Sequence, residues 1–163
     1  MELFELSVAQ AAEKIRQREI SPVELTEQLL RRIEALEPEL KAWVTVDRDG
    51  VLAGARRCEL EVGKGEIGPL HGVPLGVKDI FYTAGLRTTS GSPIFQEFVP
   101  SFDATSVARL RQAGATVLGK TVTVQFAHFD PPVTRNPWNH DRTPGGSSSG
   151  SAAYPMPTPC MRS

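Results

Sequence analysis

A chain of 163 residues is long enough to bury a core of its own. Its 40% hydrophobic and 23% charged residues are the composition of an ordinary globular protein. Eighteen basic against nineteen acidic residues give a net charge of -1, so no basic excess exists to hold nucleic acid or an anionic membrane surface.

The first predicted element is a short helix from Val8 to Arg18, with Ala9, Ala12 and Ile15 facing inward. A firmer helix start follows: Ser21 as cap, Pro22 at the first helical position, and Glu24 three residues on to complete a capping box. Leu25, Leu29, Ile33 and Leu36 recur at helical spacing as one apolar stripe, while Glu27 and Arg31 can pair across a turn on the wetter side. Pro38 is expected to close this helix. Trp43 to Val46 is β-rich, and Val51 to Val62 reads as a helix packed through Leu52, Ala55 and Leu60.

Gly63, Gly65, Gly68 and Pro69 form a loop before an extended apolar stretch, Val73 to Ile80, where Pro74 comes early enough to be tolerated. Asp103 is expected to cap a helix through Ala113 carrying Val107 and Leu110, and Ala115 to Leu118 to form a short strand. Helix and strand alternate, so the expected fold class is α/β. Phe126 and Phe129 are expected in the core. The closing YPMPTPCMRS, with Pro155, Pro157 and Pro159, blocks both helix and ladder and is expected to be irregular.

The N-terminal MELFELSVAQ lacks the basic start and apolar stretch of a secretory signal, and no window approaches the roughly 20 apolar residues of a membrane span. Cys58 and Cys160 stand far apart and outside any CxxC pair, so neither a disulfide framework nor a metal motif is suggested. His71, His128 and His140 show no ligand spacing and read as structural or surface residues. A cytoplasmic setting is expected.

Two segments carry candidate chemistry. Lys78 ends the apolar stretch GVPLGVKD; a lysine held among Leu75, Val77 and Ile80 would lose hydration, which favours its neutral, proton-accepting form. Asp79 would oppose this in contact, but strand neighbours point to opposite faces. The other reading is a solvated lysine at a strand end. GGSSSGS, residues 145 to 151, taken alone is either a flexible linker or an ordered turn, and it lacks the lysine spacing of a phosphate loop. The TRNPWN run at 134 to 139, leading into Arg142-Thr143-Pro144, favours an ordered, packed approach, with Trp138 in the packing.

GPLHGVPLGVKD (68 to 79), AGLRTTSGSP (84 to 93), DATSVARLRQAGATVLGKT (103 to 121), FDPPVTRNPWN (129 to 139) and RTPGGSSSGSAA (142 to 153) resemble, in this order, the amidase-signature family, and the likeness spans residues 7 to 153. It implies N-terminal helices followed by part of a mixed α/β sheet, incomplete. Residues 1-153 would be the N-terminal portion of the domain and 154-163 a tail outside the pattern. By the resemblance, Lys78 is the catalytic lysine and Ser147 the bridging serine, joined to Gly146 by a cis peptide bond. Gly145, Gly146 and Ser148 would support them, and Thr88, Thr89 and Ser90 belong either to a loop near the site or to a plain turn.

The implied mechanism is a relay in which neutral lysine takes the proton of the bridging serine, and that serine takes the proton of a second, attacking serine, which adds to an amide carbonyl. The implied substrate is a small amide. No metal or cofactor is required, no nucleic-acid or membrane partner is implied, and an oligomer is left open. The attacking serine of the family lies further beyond Ser147 than Ser163, so the chain is expected to lack it and to be inactive alone. The alternatives are a non-catalytic binding or assembly module and a remnant of an A-type amidotransferase component. The direct run of Phe126 to Asp130 into Pro131-Pro132 favours a small-amide hydrolase over the A-type branch.

Overall fold

The computed structural model describes residues 2–65, 67–128 and 130–154. Phe129, Cys160 and the segment 155–163 lie outside the described residues, and the expectations for them stay as expectations.

Helix α1 spans Val8–Arg16 and is closed at its start by a reciprocal box: Ser7 Oγ accepts from Gln10 N while Gln10 Oε1 accepts from Ser7 N at 2.9 Å. Its inward residues are Ala11 and Ile15, whereas Ala9, expected inside, is exposed. Ile15 at the centre fixes the face, and a residue six positions earlier falls about 120° around a 3.6-residue helix, off that face.

Helix α2, Pro22–Leu40, starts as expected, with Ser21 Oγ accepting from Val23 N and Glu24 N at 3.0 and 3.2 Å. The box is only half made: Ser21 Oγ accepts from Glu24 N, but the Glu24 side chain makes no return bond to Ser21 N, and the Ser21 hydroxyl donates to Glu59. Leu25, Leu30, Ile33 and Leu40 are buried along one stripe, and Glu27 pairs with Arg31 at 3.7 Å. Pro38 does not end the helix; it sits in the last turn, where only two residues follow and the lost hydrogen bond is a terminal one. The stop is Lys41 at φ 52, and the Glu37 carboxylate then accepts from Ala42 N and Trp43 N, both at 3.0 Å.

Strand β1, Trp43–Val46, leads into α3, Arg48–Glu61, capped by Asp47 Oδ1 to Gly50 N at 3.1 Å. Val51, Ala55 and Cys58 face the sheet, and Leu60, expected to pack, is 65% exposed on the far side. Strand β2, Pro74–Lys78, and strand β3, Thr116–Thr121, complete a mixed sheet of order β1-β3-β2, antiparallel on the first side and parallel on the second. β3 is longer than Ala115 to Leu118 because it is central and paired on both sides, and each of its six residues is buried.

Between β2 and β3, α4 runs Thr105–Gln112 without a side-chain cap. Asp103 is engaged elsewhere: its carboxylate accepts from Ala84 N at 2.7 Å and pairs with Arg111 at 3.1 Å. Val77, Val107 and Val117 form a small core beneath α4. Phe126, expected inside, is 47% exposed and sits at φ 49, in a turn that points its ring outward. Helix α5, Ser149–Ala153, closes the described chain.

Candidate functional site

Lys78 is the last residue of β2, and the sheet delivers it to the end of the fold where the segment after β3 leaves its ladder. There Val124 N and Thr123 Oγ1 both donate to the Ser147 carbonyl, each at 3.1 Å. Ser147 is thus hung from the chain that follows β3, although 24 residues separate it from Thr123.

Two further attachments fix its surroundings. Gly150 N donates to Val122 O at 2.9 Å, and Val122 N donates to Ala42 O at 2.9 Å, so α5 and the chain between α2 and β1 share one backbone anchor. The approach from residue 134 is ordered as well: Thr134 Oγ1 donates to Lys41 O and Arg135 N to Leu40 O, both at 2.9 Å. Trp138 takes no part in packing, being 69% exposed; local bonds such as Trp138 N to Asn136 Oδ1, 2.9 Å, shape that turn instead. GGSSSGS is therefore no linker.

The result is a contact between residues 69 positions apart: Lys78 Nζ lies 2.6 Å from Ser147 Oγ. A charged lysine donates to that hydroxyl; a neutral one can take its proton. Burial pushes Lys78 below the ordinary lysine range, the direction that favours the neutral form. The Gly146–Ser147 peptide bond is cis, and Gly145, at φ 91, makes the turn before it, its N–H held by Thr143 Oγ1 at 2.8 Å. Ser148 begins α5 without a side-chain cap, so the holding contacts on Ser147 come from Thr123 and Val124. Among the other described serines of this run, Ser149 Oγ donates to Val122 O at 3.4 Å and Ser151 shares a hydrogen bond with Thr121 at 2.9 Å.

Asp79 points away from Lys78, as strand alternation requires, into a buried network that the sequence reading missed. Its Oδ2 accepts from Thr89 N at 3.0 Å and Thr89 Oγ1 at 2.5 Å, and Lys120 Nζ stands 3.6 Å from its Oδ1. Lys120 also donates to Phe81 O and Thr88 Oγ1, at 2.6 and 2.7 Å. Thr89 opens a turn, its carbonyl accepting from Ser92 N at 3.0 Å, and Thr88 and Thr89 also tie that turn to the buried Asp79 and Lys120 behind the lysine strand. A single lysine inside the otherwise uncharged stretch from Ala115 to Val124 was the available signal. A cavity of about 510 Å³ opens over Thr89, Ser92, Gln96, Thr123 and Val124.

Cys58, Glu61 and His71 bring their ligand atoms within 4.8 Å of one another, a proximity that linear spacing hid because α3 and the loop before β2 supply them separately. The His71 ring nitrogen is engaged with Cys58 O at 2.9 Å, and burial, with Glu61, pushes the thiol up and keeps it protonated. These residues join α3 to the loop.

Among the described residues, no helix is long and apolar enough to cross a membrane. The Amidase family model matches residues 24–154. The chain is 44% identical to the A component of glutamyl-tRNA(Gln) amidotransferase from Geobacter metallireducens, over 94% of this chain and 33% of that protein. It is 47% identical to the corresponding A component from Roseiflexus castenholzii, over 93% of this chain and 32% of that one. Among solved structures, the native peptide amidase from Stenotrophomonas maltophilia superimposes with a TM-score of 0.83 at 38% identity, covering 90% of this chain and 33% of the enzyme. The chain spans about a third of the length of the curated relatives it matches. With four-fifths of its residues inside the family model and its fold shared with a family enzyme, the chain belongs to the amidase family.

Proposed function

We propose that this chain carries the proton-relay half of an amide C–N bond-cleaving site, with Lys78 as base and Ser147 as the bridging hydroxyl. The observation that carries the reading is the 2.6 Å contact between Lys78 Nζ and Ser147 Oγ. In this reading Lys78, neutral, takes the Ser147 proton; Ser147 takes the proton of an attacking hydroxyl; the acyl-enzyme then forms and is hydrolysed, and the same path returns a proton to the leaving amine. Gly145, Gly146 and Ser148 shape the turn that presents Ser147.

Ser149 and Ser151, which follow in the same run, are engaged with Val122 and Thr121, and in this reading neither is the attacking hydroxyl. Residues 1–153 act as the N-terminal portion of the family domain, with 154–163 outside it, in a cytoplasmic protein. Identities of 44% and 47% to the two amidotransferase A components support that lineage over a small-amide hydrolase. The substrate class is a carboxamide, and an assembly with further polypeptide completes the site.

The test joins residues 1–153 to the C-terminal two-thirds of an amidotransferase A-type relative and assays ammonia release from glutamine and simple amides. The fusion turns over, and Lys78→Ala or Ser147→Ala each lowers kcat by on the order of a thousandfold or more. The unfused chain releases nothing. Turnover by the unfused chain that vanishes in Lys78→Ala would overturn the missing-nucleophile reading; a fusion indifferent to Lys78→Ala would overturn the relay.

A further inference from the structure

We propose that the buried Asp79–Lys120 pair, tied to Thr88 and Thr89, is a positioning device that aims Lys78 at Ser147. The inference rests on the Lys78–Ser147 relay and adds to it the part of the fold that holds the lysine in place.

Asp79 and Lys120 are both 0% exposed, and neither hydrogen-bonds Ser147. Two fully buried charges are costly unless paired and hydrogen-bonded, and these two are used to join four pieces of chain. Asp79 N donates to Thr121 O at 2.9 Å, which extends the β2–β3 ladder one residue past Lys78. The Asp79 carboxylate takes both donors of Thr89, while Ser90 N donates to Asp79 O at 3.0 Å. Lys120 reaches across from β3 to Phe81 O, the third residue after Lys78. The residue after Lys78 is therefore clamped through its N–H, its carbonyl and its side chain. With the backbone so fixed, the Lys78 side chain leaves the opposite face of the strand in one direction.

No charged side chain is needed to explain the depressed basicity of Lys78, which comes from burial. The charges behind it are Asp79, Lys120 and Asp103; Asp103 is itself paired with Arg111 at 3.1 Å. This separates two roles for Asp79 by sign. If Asp79 acted on Lys78 directly through its charge, removing that charge would make Lys78 less basic. If it acts by position, loosening the strand lets water reach Lys78 and makes it more basic.

The experiment follows the Lys78 side chain by NMR titration of its ε-carbon in the full chain, with the resonance assigned by its loss in Lys78→Arg. Asp79→Asn moves the Lys78 titration upward, toward the ordinary lysine range. Should Asp79→Asn fail to fold, Asp79→Asn combined with Lys120→Met leaves no unpaired buried charge and gives the same upward move. Lys120→Arg, which keeps the charge and the donors, keeps Lys78 depressed. A downward move would show a direct charge effect and overturn the proposal; so would an unmoved Lys78 in a variant that has lost stability. A wild-type Lys78 that titrates as an ordinary lysine and ignores Ser147→Ala would instead overturn the relay reading beneath it.

Discussion

Burial and pairing pull Lys120 in opposite directions. Burial lowers it to about 8, against Asp79 and Asp103, which push it up, so the ammonium is retained at neutral pH but is released well before that of an unfolded lysine at 10.5. Between those two values the unfolded chain binds the extra proton, and stability therefore rises with pH. Lys78 acts in the same sense. Tyr154 has the opposite sign: burial holds it up at about 12 against an ordinary 10.0, so from pH 10 upward the folded state keeps a proton the unfolded state has lost, and stability falls. Cys58, raised from 9.0, acts in the Tyr154 sense, so urea unfolding across the alkaline range should give a free energy that climbs from about pH 8, climbs less above pH 9 and turns over near pH 10. Combining Asp79→Asn with Lys120→Met should flatten the climb, and Tyr154→Phe the descent. A steady decline from pH 8 would contradict this assignment.

At the scale of elements, a glycine decides whether α5 can dock. A Cβ on Gly150 would run into the Ala42 carbonyl oxygen and the Val122 amide nitrogen, both backbone, and would come within 3.1 Å of Thr121 Cβ. Gly150→Ala should therefore cost about 1 to 3 kcal/mol in urea unfolding and raise hydrogen exchange at Gly150 and Val122. Gly65→Ala, which meets nothing within 4 Å, should stay within about 0.5 kcal/mol. Equal effects from the two would remove α5 docking as the cause.

The sequence made part of this docking readable and hid the rest. The start of α2 was legible because a serine before a proline satisfies orphan N–H groups locally, and the Glu27–Arg31 pair needs only one helical turn. Pro38 and Asp103 misled because their outcomes depend on distant partners. The turn after Pro38 is closed by Glu37 reaching into β1, and Asp103 is taken by Ala84 and Arg111 rather than by α4. Phe126 misled because apolar character does not show that its backbone turns the ring outward. Lys78 and Ser147 were named through family resemblance; their meeting across 69 residues is a property of the sheet. The Asp79–Lys120 pair was legible only as an oddity, one lysine in an otherwise uncharged stretch.

On the whole molecule, apolar side chains gather outside the core. Tyr82 meets Phe98 and Phe102 in tilted contacts at 5.2 and 5.4 Å between centroids, and Phe95 meets Phe98 and Phe126 at 5.8 and 6.1 Å, so the rings form one continuous group. Phe102 is 61% exposed and Ile94, in the same segment, 76%. The order β1-β3-β2 leaves β1 and β2 at the edges of the described sheet. Contiguous apolar surface and open edges both favour association. Phe102 and Phe126 are 61% and 47% exposed, so covering each is worth a fraction of the about 1.5 to 3 kcal/mol of a fully exposed ring, and a net charge of -1 supplies little repulsion to oppose it. Sedimentation velocity should show concentration-dependent association, and Phe102→Ser combined with Ile94→Ser should shift it toward monomer and reduce binding of an apolar dye, with the far-ultraviolet dichroism unchanged. Both positions are exposed, and the unchanged dichroism would exclude loss of fold as the explanation. Wild-type chain that stays monomeric at every concentration tested, without dye binding, would mean that the ring group is closed to partners.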